Sequence, residues 1–554
     1  MRILLTALVL ATALPAGQAR AQAELLLAET VTLPVRDCRD GTDQAMPLIA
    51  WGADGVTVVA NGGALETEPG PFAEAGWSLD LSVEDDFAAQ LEAYLACGSP
   101  FLRGTLGMLV AAGPVTEADP RTEQVVIYKH SWSAGDGIVA GPGISTVADL
   151  SGARVAVQAN GPHVDFLGRI LADGGLGFDD VEIVWTEALT GDGDTPMAAF
   201  AEGRADAAAL ILPDARVLTS DGTVGTGAEG SVEGATILFS TQEATAVVGD
   251  YISVRADYFD AHRGDVQALV AALLRAEEET RAFMAQEGPR RDALAALMAD
   301  EFLGGLPPEE GVFLWQDAIT DGWSGNARHF GSDTDPRRFE VLLGEVNAAL
   351  VGADRIERPY DLAPAGWDWT ALSEGLSDVS ERELTAFDPE AAAAAVTRLR
   401  RTGQLDAATK IDFAVYFEPD TAEFPADVYA QDFEEIVRLA STYSGAIITV
   451  EGHADPLHFL RREQEGADPS ELRAIRTSTQ NLSLERAMAV VDALAEFAEA
   501  EEVRLNRDQF TVDGVGIAAP LHMPPQTAEE WRENMRVVFR VLTAQAEATE
   551  FAPL

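Results

Sequence analysis

The chain has 554 residues, 47% of them hydrophobic, so it is long enough to form several domains with separate cores. Its formal net charge is −53, from 38 Lys and Arg against 91 Asp and Glu. That charge argues against nucleic acid or an anionic lipid surface as a partner, and it favours a highly soluble, acidic protein.

The N-terminus predicts a secretory signal peptide over residues 1–23. Arg2 precedes an apolar run at 3–14, and small residues lead to a cleavage site after Ala23. The apolar run is too short to span a bilayer, and no later run is long enough. We therefore expect an exported protein without membrane insertion, and no Cys lies where a lipid anchor would attach.

The chain has two cysteines, Cys38 and Cys97. In an exported protein they are expected to pair rather than to stay free, and closing a loop of this size stabilises by about 4 kcal/mol. No Cys and His spacing is typical of a zinc site, and the glycine-rich run 222–234 lacks the phosphate-loop and dinucleotide patterns. We expect no metal and no cofactor.

Short β-rich runs alternate with amphipathic helices through residues 24–351. Alternation of this kind indicates an α/β fold with mostly parallel sheets. Strands are predicted at 56–59, 125–128, 155–157, 181–185 and 206–211, and helices at 85–95, 164–171 and 197–202.

Ligands of such sheets lie at the carboxyl ends of the strands, and polar residues follow several predicted strands. Trp132 would supply apolar contact, whereas Ser131 and Asp136 would fix the orientation of a solute above a floor formed by residues 161–163. If Asp136 faces the cleft, a cationic or hydrogen-donating solute is favoured; if it binds a turn, the following helix N-terminus favours an anion. The first option is preferred. The solute-binding candidates are Trp51, Asn61, Ser131, Trp132, Asp136, Gly161, His163 and Asp214, with Thr105 and Pro162 beside them.

Four of these candidates also have a structural explanation. Trp51 and Trp132 are equally compatible with ordinary core packing. His163 suits a cap or loop position, and Asp214 suits the first turn of a helix.

Three segments in this region resemble the periplasmic substrate-binding proteins of ABC importers. They are DLSGARVAV at 149–157, FAEGRADAAAL at 200–210 and the strand and long helix at 251–280. The resemblance is closest to the two-lobed family that captures small nitrogen- or sulfur-containing solutes and thiamine precursors. It implies a two-lobed domain over 24–351, with a small-molecule solute and an ABC permease as partners.

Near the C-terminus, the predicted strand 447–450 leads to Asp455, and a helix is predicted to open at Ser483. Arg486 would lie in its first turn, where a cation is unfavourable for the helix dipole unless it meets an anion. One carboxylate and one guanidinium can together hold a zwitterion. The alternative is that Asp455 caps a turn and Arg486 forms a surface ion pair.

Four ordered motifs here resemble the OmpA-like peptidoglycan-binding domain: residues 452–455, 482–487, 514–516 and 534–537. The resemblance implies a smaller α+β domain over 410–545, a periplasmic location, and binding of the diaminopimelate of the cell-wall peptide by Asp455 and Arg486. The sequence departs from the family at Pro456, at Met535 and in a long charged segment before Asn481, which we expect to form an extra loop or helix.

Residues 352–409 are predicted to be a helical connector. An alanine-rich helix is expected at 390–400, and Trp367 and Trp369 are expected to hold the connector against the first domain.

The sequence therefore predicts a non-enzymatic solute-binding protein held to peptidoglycan. No nucleophile-elbow or zinc-protease motif is present, so no catalytic residue is assigned. The alternatives are a periplasmic enzyme that acts on a cell-wall or small-molecule substrate, and a structural or signalling partner without a ligand.

Overall fold

The computed structural model describes residues 26–38, 41–191, 193–228, 230–320, 322–379, 389–403, 405–416 and 429–542. The predicted signal peptide lies outside these ranges. Within them, no helix combines the length and the apolar character needed to cross a membrane.

The first lobe contains two sheets. In the larger sheet the order is β11-β4-β10-β3, all neighbours are antiparallel, and β12 pairs with β4 in parallel. The expected mostly parallel arrangement is therefore wrong for this sheet, because the chain returns from the second lobe to add β10 between β3 and β4. The bounds are β1 Asp43–Leu48 and β2 Ser78–Val83, which pair in parallel, then β3 Phe101–Thr105, β4 Gln124–Ser133, β10 Gly249–Arg255, β11 Ala318–Ile319 and β12 Ala363–Pro364.

The second lobe contains one mixed sheet in the order β7-β6-β8-β5-β9. Strands β6, β7 and β8 are parallel, whereas β5 is antiparallel to β8 and β9. The chain passes between the lobes from β4 to β5 and from β9 to β10, and we refer to these two links as the hinge. The bounds are β5 Asp136–Ala140, β6 Arg154–Gln158, β7 Glu182–Thr186, β8 Ala207–Ile211 and β9 Thr236–Ser240.

The predicted strand at Val56–Val59 is wrong, because these residues lie in the helix Asp54–Ala60. Every residue of this helix is buried. A helix without an exposed face shows no helical period in its sequence, and its β-branched residues mimic a buried strand.

The helices of the first region cover both faces of these sheets. They are α1 Leu27–Thr30, α2 Asp54–Ala60, α3 Pro71–Glu74, α4 Phe87–Leu95, α5 Leu106–Ala111, α6 Gly113–Thr116, α7 Val164–Asp173, α8 Pro196–Ala201, α9 Leu212–Leu218, α10 Ala256–Met284, α11 Pro289–Glu301, α12 Pro308–Gln316, α13 Gly322–Gly331, α14 Phe339–Gly352 and α15 Trp369–Leu372.

Two other predictions for this region concern covalent and packing contacts. Cys38 and Cys97 form a disulfide. Trp367 donates from Nε1 to the carbonyl of Ile127 at 2.8 Å, and Trp369 stacks on Phe330 with ring centroids 5.8 Å apart. The first part of the connector is thus held against the first lobe, as predicted.

The C-terminal domain contains a four-stranded sheet in the order β13-β16-β14-β15, in which only β14 and β15 are parallel. The bounds are β13 Thr409–Tyr416, β14 Ile447–His453, β15 Phe510–Gly516, β16 Arg536–Leu542, α16 Pro389–Thr402, α17 Leu405–Ala408, α18 Ala430–Thr442, α19 Leu457–Gln464, α20 Pro469–Ala500 and α21 Ala528–Glu533.

Helix α16 packs on this sheet rather than bridging two domains. Val396 and Leu399 are buried with Ile447, and the Arg400 guanidinium binds Glu451 at 2.8 Å. Within the described residues, α16 therefore shares a small core with the C-terminal sheet.

The C-terminal domain docks on the second lobe and on the hinge. Tyr443 donates to Asp173 at 2.7 Å, and Lys410 Nζ donates to the carbonyl of Ser145 at 3.0 Å. At the hinge, the Ala246 N–H donates to the carbonyl of Thr442 at 3.4 Å. The two parts of the molecule therefore share a packed interface.

Candidate functional site

Asp136 and His163 meet between the lobes. Asp136 opens β5, and because β5 runs antiparallel to β8, this residue lies at the carboxyl ends of β6 and β8. Its Oδ1 lies 2.8 Å from His163 Nε2, and its Oδ2 accepts a 2.5 Å hydrogen bond from Ser133. Both side chains are buried. Two of the residues predicted for the solute site are thus in contact.

Three further carboxylates surround this pair, and we refer to Asp136, Asp165, Asp214 and Asp317 around His163 as the acidic cluster. Burial raises the pKa of Asp165 to about 7, and the negative charge of Asp136 adds to the effect. Burial likewise raises the pKa of Asp317 to about 6 and raises that of Asp214. Asp214 and Asp317 are only half-buried, so the cluster reaches from the interior towards solvent.

Asp165 lies at the boundary between the lobes. It is 4% exposed, and its Oδ1 has no hydrogen-bond partner among the described residues. A Cβ atom at Gly107, in α5 of the first lobe, would lie only 2.5 Å from that oxygen. The two lobes are therefore in contact at the acidic cluster. Gly107 allows this close approach, because any side chain there would clash with Asp165.

A second polar network adjoins the cluster on the first-lobe side. Arg103 binds both carboxylate oxygens of Asp54, at 3.1 and 2.6 Å, and binds Asp250 at 3.1 Å. Ser131 donates to Asp250 at 3.1 Å and accepts from Trp51 Nε1 at 3.0 Å. Burial raises the pKa of Asp54 to about 6 and raises that of Asp250, and Arg103 opposes both shifts.

Three other candidates make local structural contacts. The Asn61 amide donates to the carbonyls of Ala64 and Leu65, both at 3.0 Å, inside the first lobe. Gly161 packs against the Gln158 side chain: a Cβ atom at Gly161 would lie only 1.9 Å from Gln158 Oε1. Thr105 caps α5. None of these contacts points to the acidic cluster.

Trp132 is separated from the acidic cluster. Adjacent residues of a strand point to opposite faces, and Ser131 and Trp132 both belong to β4, which extends to Ser133 rather than ending at 128. The Trp132 ring lies 5.6 Å from the His329 ring, and Lys129 Nζ lies 4.0 Å from the Trp132 centroid. Trp132 lines a different cavity, described below.

The acidic cluster does not have the arrangement of a serine-hydrolase triad. In a triad the histidine stands between the hydroxyl and the carboxylate. Here Asp136 stands between Ser133 and His163, so the hydroxyl donates to the carboxylate and gains no base. Among the described residues, no set of three or more His, Cys, Asp and Glu side chains could hold a metal ion.

Four acids of this region, Asp54, Asp165, Asp250 and Asp317, were missed from the sequence. Asp165 lies two residues after His163 in the first turn of α7, where a ligand-facing acid could have been sought. Asp250 and Asp317 carry no local signal, because antiparallel return segments bring them beside β4.

In the C-terminal domain, Arg486 does not open a helix. It lies inside α20, which begins at Pro469, so the argument from the helix dipole is wrong. The charged segment after Asp455 forms α19 and the first turns of α20. These two helices pack together where the Arg476 guanidinium lies 4.6 Å from the centroid of the Phe459 ring. Of the extra loop or helix that was expected here, the structure has the helix.

Glycines bring α20 against the strand ends that carry the motifs. A Cβ atom at Gly452 would lie 1.9 Å from the Ser483 carbonyl oxygen, and one at Gly514 would lie 2.4 Å from that of Gln480. Ser483 also accepts from the Gly516 N–H at 2.9 Å. Asp455 comes three residues after Gly452, and Arg486 comes about one helical turn after Ser483. Both candidate ligand-binding residues therefore lie near the contact between Gly452 and Ser483.

The Asp455 carboxylate is held in place by two donors. Its Oδ1 accepts from the Leu457 N–H at 2.8 Å, and its Oδ2 accepts from Asn534 Nδ2 at 3.2 Å. Each oxygen keeps acceptor capacity for a further donor. Asn534, which belongs to one of the predicted motifs, thus orients the candidate ligand-binding acid.

Comparison with known proteins gives one family match. The family model NMT1, described as NMT1/THI5 like, matches residues 136–283. This segment contains Asp136, His163, Asp165 and Asp214. Comparison with curated proteins gives no match.

Several solved structures are similar to part of the chain. The periplasmic aliphatic sulphonate binding protein SsuA from Escherichia coli is 17% identical, with 63% of this chain and 96% of that chain covered and a TM-score of 0.41. The alkanesulfonate-binding protein SsuA from Xanthomonas axonopodis pv. citri bound to MOPS is 18% identical, with 51% and 86% covered and a TM-score of 0.37. The periplasmic nitrate-binding protein NrtA from Synechocystis PCC 6803 is 14% identical, with 58% and 93% covered and a TM-score of 0.39.

Proposed function

We propose that the chain is a periplasmic solute-binding protein that serves an ABC importer and is held to peptidoglycan by its C-terminal domain. The observation that carries the solute-binding part is the acidic cluster at the closed boundary of two hinged lobes. Hinge closure around a small ligand is a common mode of capture. The NMT1/THI5-like match over residues 136–283 supports the same reading, because it spans most of the cluster.

The charge of the cluster selects the solute. Four carboxylates and one histidine make up the cluster; burial raises the pKa values of Asp165 and Asp317, and the negative charge of Asp136 adds to both shifts. A cationic or hydrogen-donating solute would stabilise the ionised carboxylates, whereas an anion would be repelled. We therefore assign a small amine, amidine or aminopyrimidine to this site, with Trp51 at its half-buried edge.

Isothermal titration of the mature chain with putrescine, agmatine and an aminopyrimidine tests this assignment. At least one should bind with 1:1 stoichiometry, and ethanesulfonate and nitrate should not. Asp136→Asn should weaken binding tenfold or more, because it removes one charge from the cluster. Asp206→Asn is the matched control: Asp206 pairs with Arg154 on the surface of the same lobe, and its loss should leave affinity unchanged. A preference for the anions, or equal affinity in both variants, would contradict the assignment.

The peptidoglycan part rests on the oriented Asp455 carboxylate and on Arg486, one helical turn beyond the contact between Gly452 and Ser483. The carboxylate suits the ammonium of a zwitterionic side chain such as diaminopimelate, and the guanidinium suits its carboxylate. An ordinary exposed ion pair contributes only about 0–1 kcal/mol to stability, so its loss would leave peptidoglycan binding unchanged. Loss of binding after a single substitution would therefore identify a ligand site.

Sedimentation of the mature chain with purified peptidoglycan tests this part separately. The parent should pellet, and Asp455→Ala and Arg486→Ala should each remain in the supernatant. Arg473→Ala, an exposed arginine on the same helix, is the matched control and should pellet like the parent. Full sedimentation of the double variant at Asp455 and Arg486 would refute this part and leave the solute site unaffected.

A further inference from the structure

A second cavity lies at the interface between the first region and the C-terminal domain. Its volume is about 410 Å³, which is sufficient for a small organic molecule. One wall comes from β4, the hinge and the segment after α13, including Trp132 and Ala246. The other comes from the end of α18 and the segment before β15, including Ser444 and Leu505. The acidic cluster is not part of its lining.

The lining of this interdomain cavity is basic, in contrast to the rest of the chain. Lys129, Arg328, Arg337 and Arg504 face it, against one acid, Asp335. Lys129 is one of two lysines in a chain with net charge −53, and it is 1% exposed. Four cationic side chains against one acid give the cavity a positive potential, which favours an anion as its occupant.

Arg337, which lines the cavity, carries a donor that the described residues leave unsatisfied. It is 5% exposed; its Nε donates to the carbonyl of Ala246 at 2.9 Å and its Nη1 to Glu345 at 2.8 Å. Its Nη2 is buried and has no hydrogen-bond partner among the described residues. An unsatisfied buried guanidinium donor is unfavourable, and an oxyanion in the cavity would satisfy it.

Burial and the positive potential of the cavity both lower the pKa values of two side chains in its lining. Burial lowers the pKa of His329 well below its usual value, and the positive charges of Lys129, Arg337 and Arg328 lower it further. Burial also lowers the pKa of Arg504, and Arg328 contributes to that shift. His329 therefore stays neutral, and the cavity offers aromatic surface from Trp132 beside its cationic donors.

We propose that this interdomain cavity is a second ligand site, which binds a small organic anion carrying a carboxylate, phosphate or sulfonate group. Arg337 Nη2 and the Arg504 guanidinium contact the oxyanion, and Trp132 and Leu505 contact the organic body. The site is distinct from the proposed solute site, which prefers the opposite charge. Because its walls come from two parts of the chain, the anion also stabilises their interface.

Titration of the mature chain in low-chloride buffer tests the proposal with three probes: succinate, phenyl phosphate and benzenesulfonate. At least one should bind 1:1 and raise the melting temperature, whereas the neutral analogues succinamide and benzenesulfonamide should do neither. Arg504→Gln and Arg337→Lys should each weaken the anion tenfold or more. The lysine keeps the charge but cannot replace three guanidinium contacts.

Two matched controls define the site. Arg507→Gln removes the same charge three residues from Arg504, but Arg507 pairs with Asp492 outside the cavity, so anion affinity should not change. Asp136→Asn should also leave anion affinity unchanged, because it alters only the acidic cluster. Failure of all three anions to bind at millimolar concentration overturns the proposal. So does a bound anion whose affinity is unaltered by both cavity substitutions in folded protein, as judged by circular dichroism.

Discussion

Asp165→Asn should stabilise the protein at neutral and alkaline pH. Burial raises the Asp165 pKa from 3.8 to about 7, so the folded state holds this proton more tightly than the unfolded chain. A difference of about 3 in pKa corresponds to about 4 kcal/mol of unfolding free energy. The protonated acid contributes its full stability below the unfolded pKa, and this contribution is lost as the pH rises through about 7. Asparagine has nearly the same shape and stays neutral, so it avoids that loss.

Urea unfolding of the parent and of Asp165→Asn at about pH 5 and about pH 8 measures the effect. The stability of the variant relative to the parent should increase by roughly 2–3 kcal/mol between these pH values. Comparing two chains that differ at one residue cancels the contribution of the other acids. An unchanged difference between the two chains would refute the assignment of Asp165 as a group held protonated by burial, as would a variant that is less stable at pH 8 than at pH 5 relative to the parent.

Three further outcomes are expected. A cationic solute in the acidic cluster should lower the pKa of Asp165 and release protons near pH 6.5, so its binding heat should vary with the ionisation enthalpy of the buffer; equal heats in all buffers would contradict this. Mass spectrometry of unreduced protein should find no free thiol at Cys38 or Cys97, and two alkylatable thiols in native protein would rule out the disulfide. Gly452→Ala should destabilise the C-terminal domain by about 2 kcal/mol or more, because the new Cβ atom would clash with the backbone of α20. Gly264→Ala is the control: its Cβ atom would meet open space beside α10, so it should stabilise the protein by about 0.5–1 kcal/mol. Similar effects on stability at both positions would be inconsistent with close packing at Gly452.

The sequence predicted the parts of the site that depend on order along the chain. Asp136 and His163 were placed together because each follows a predicted strand, 125–128 and 155–157. Asp136 in fact opens β5, a strand that was not predicted, and so lies at the carboxyl ends of β6 and β8. Trp132 was misplaced because the end of β4 could not be located: with the strand extended to Ser133, the alternation of side chains directs Ser131 and Trp132 to opposite faces. An error of a few residues in a strand end therefore moved one candidate to another cavity.

Other features depended on contacts between distant segments. Val56–Val59 form a helix because surrounding elements bury all of it, which local β propensity does not reveal. Arg486 lies within α20 because Pro469, fourteen residues after Asp455, opens the helix with Asp468 as its cap. That start signal was present in the sequence, whereas the pairing that brings Asp250 to Ser131 was not.

The two proposed ligand sites share the hinge. Ala246 lies in the link between β9 and β10, and it also lines the interdomain cavity and accepts from Arg337. Trp132 lies near the end of β4, beside the other link. Any opening of the lobes about these links must therefore alter the walls of the cavity, while the acidic cluster between the lobes is exposed or covered by the same movement. If an anion in the cavity binds one arrangement of the lobes more tightly, it changes the affinity of the acidic cluster for its solute by a definite factor. Thermodynamic linkage requires the solute to change the affinity for the anion by that same factor.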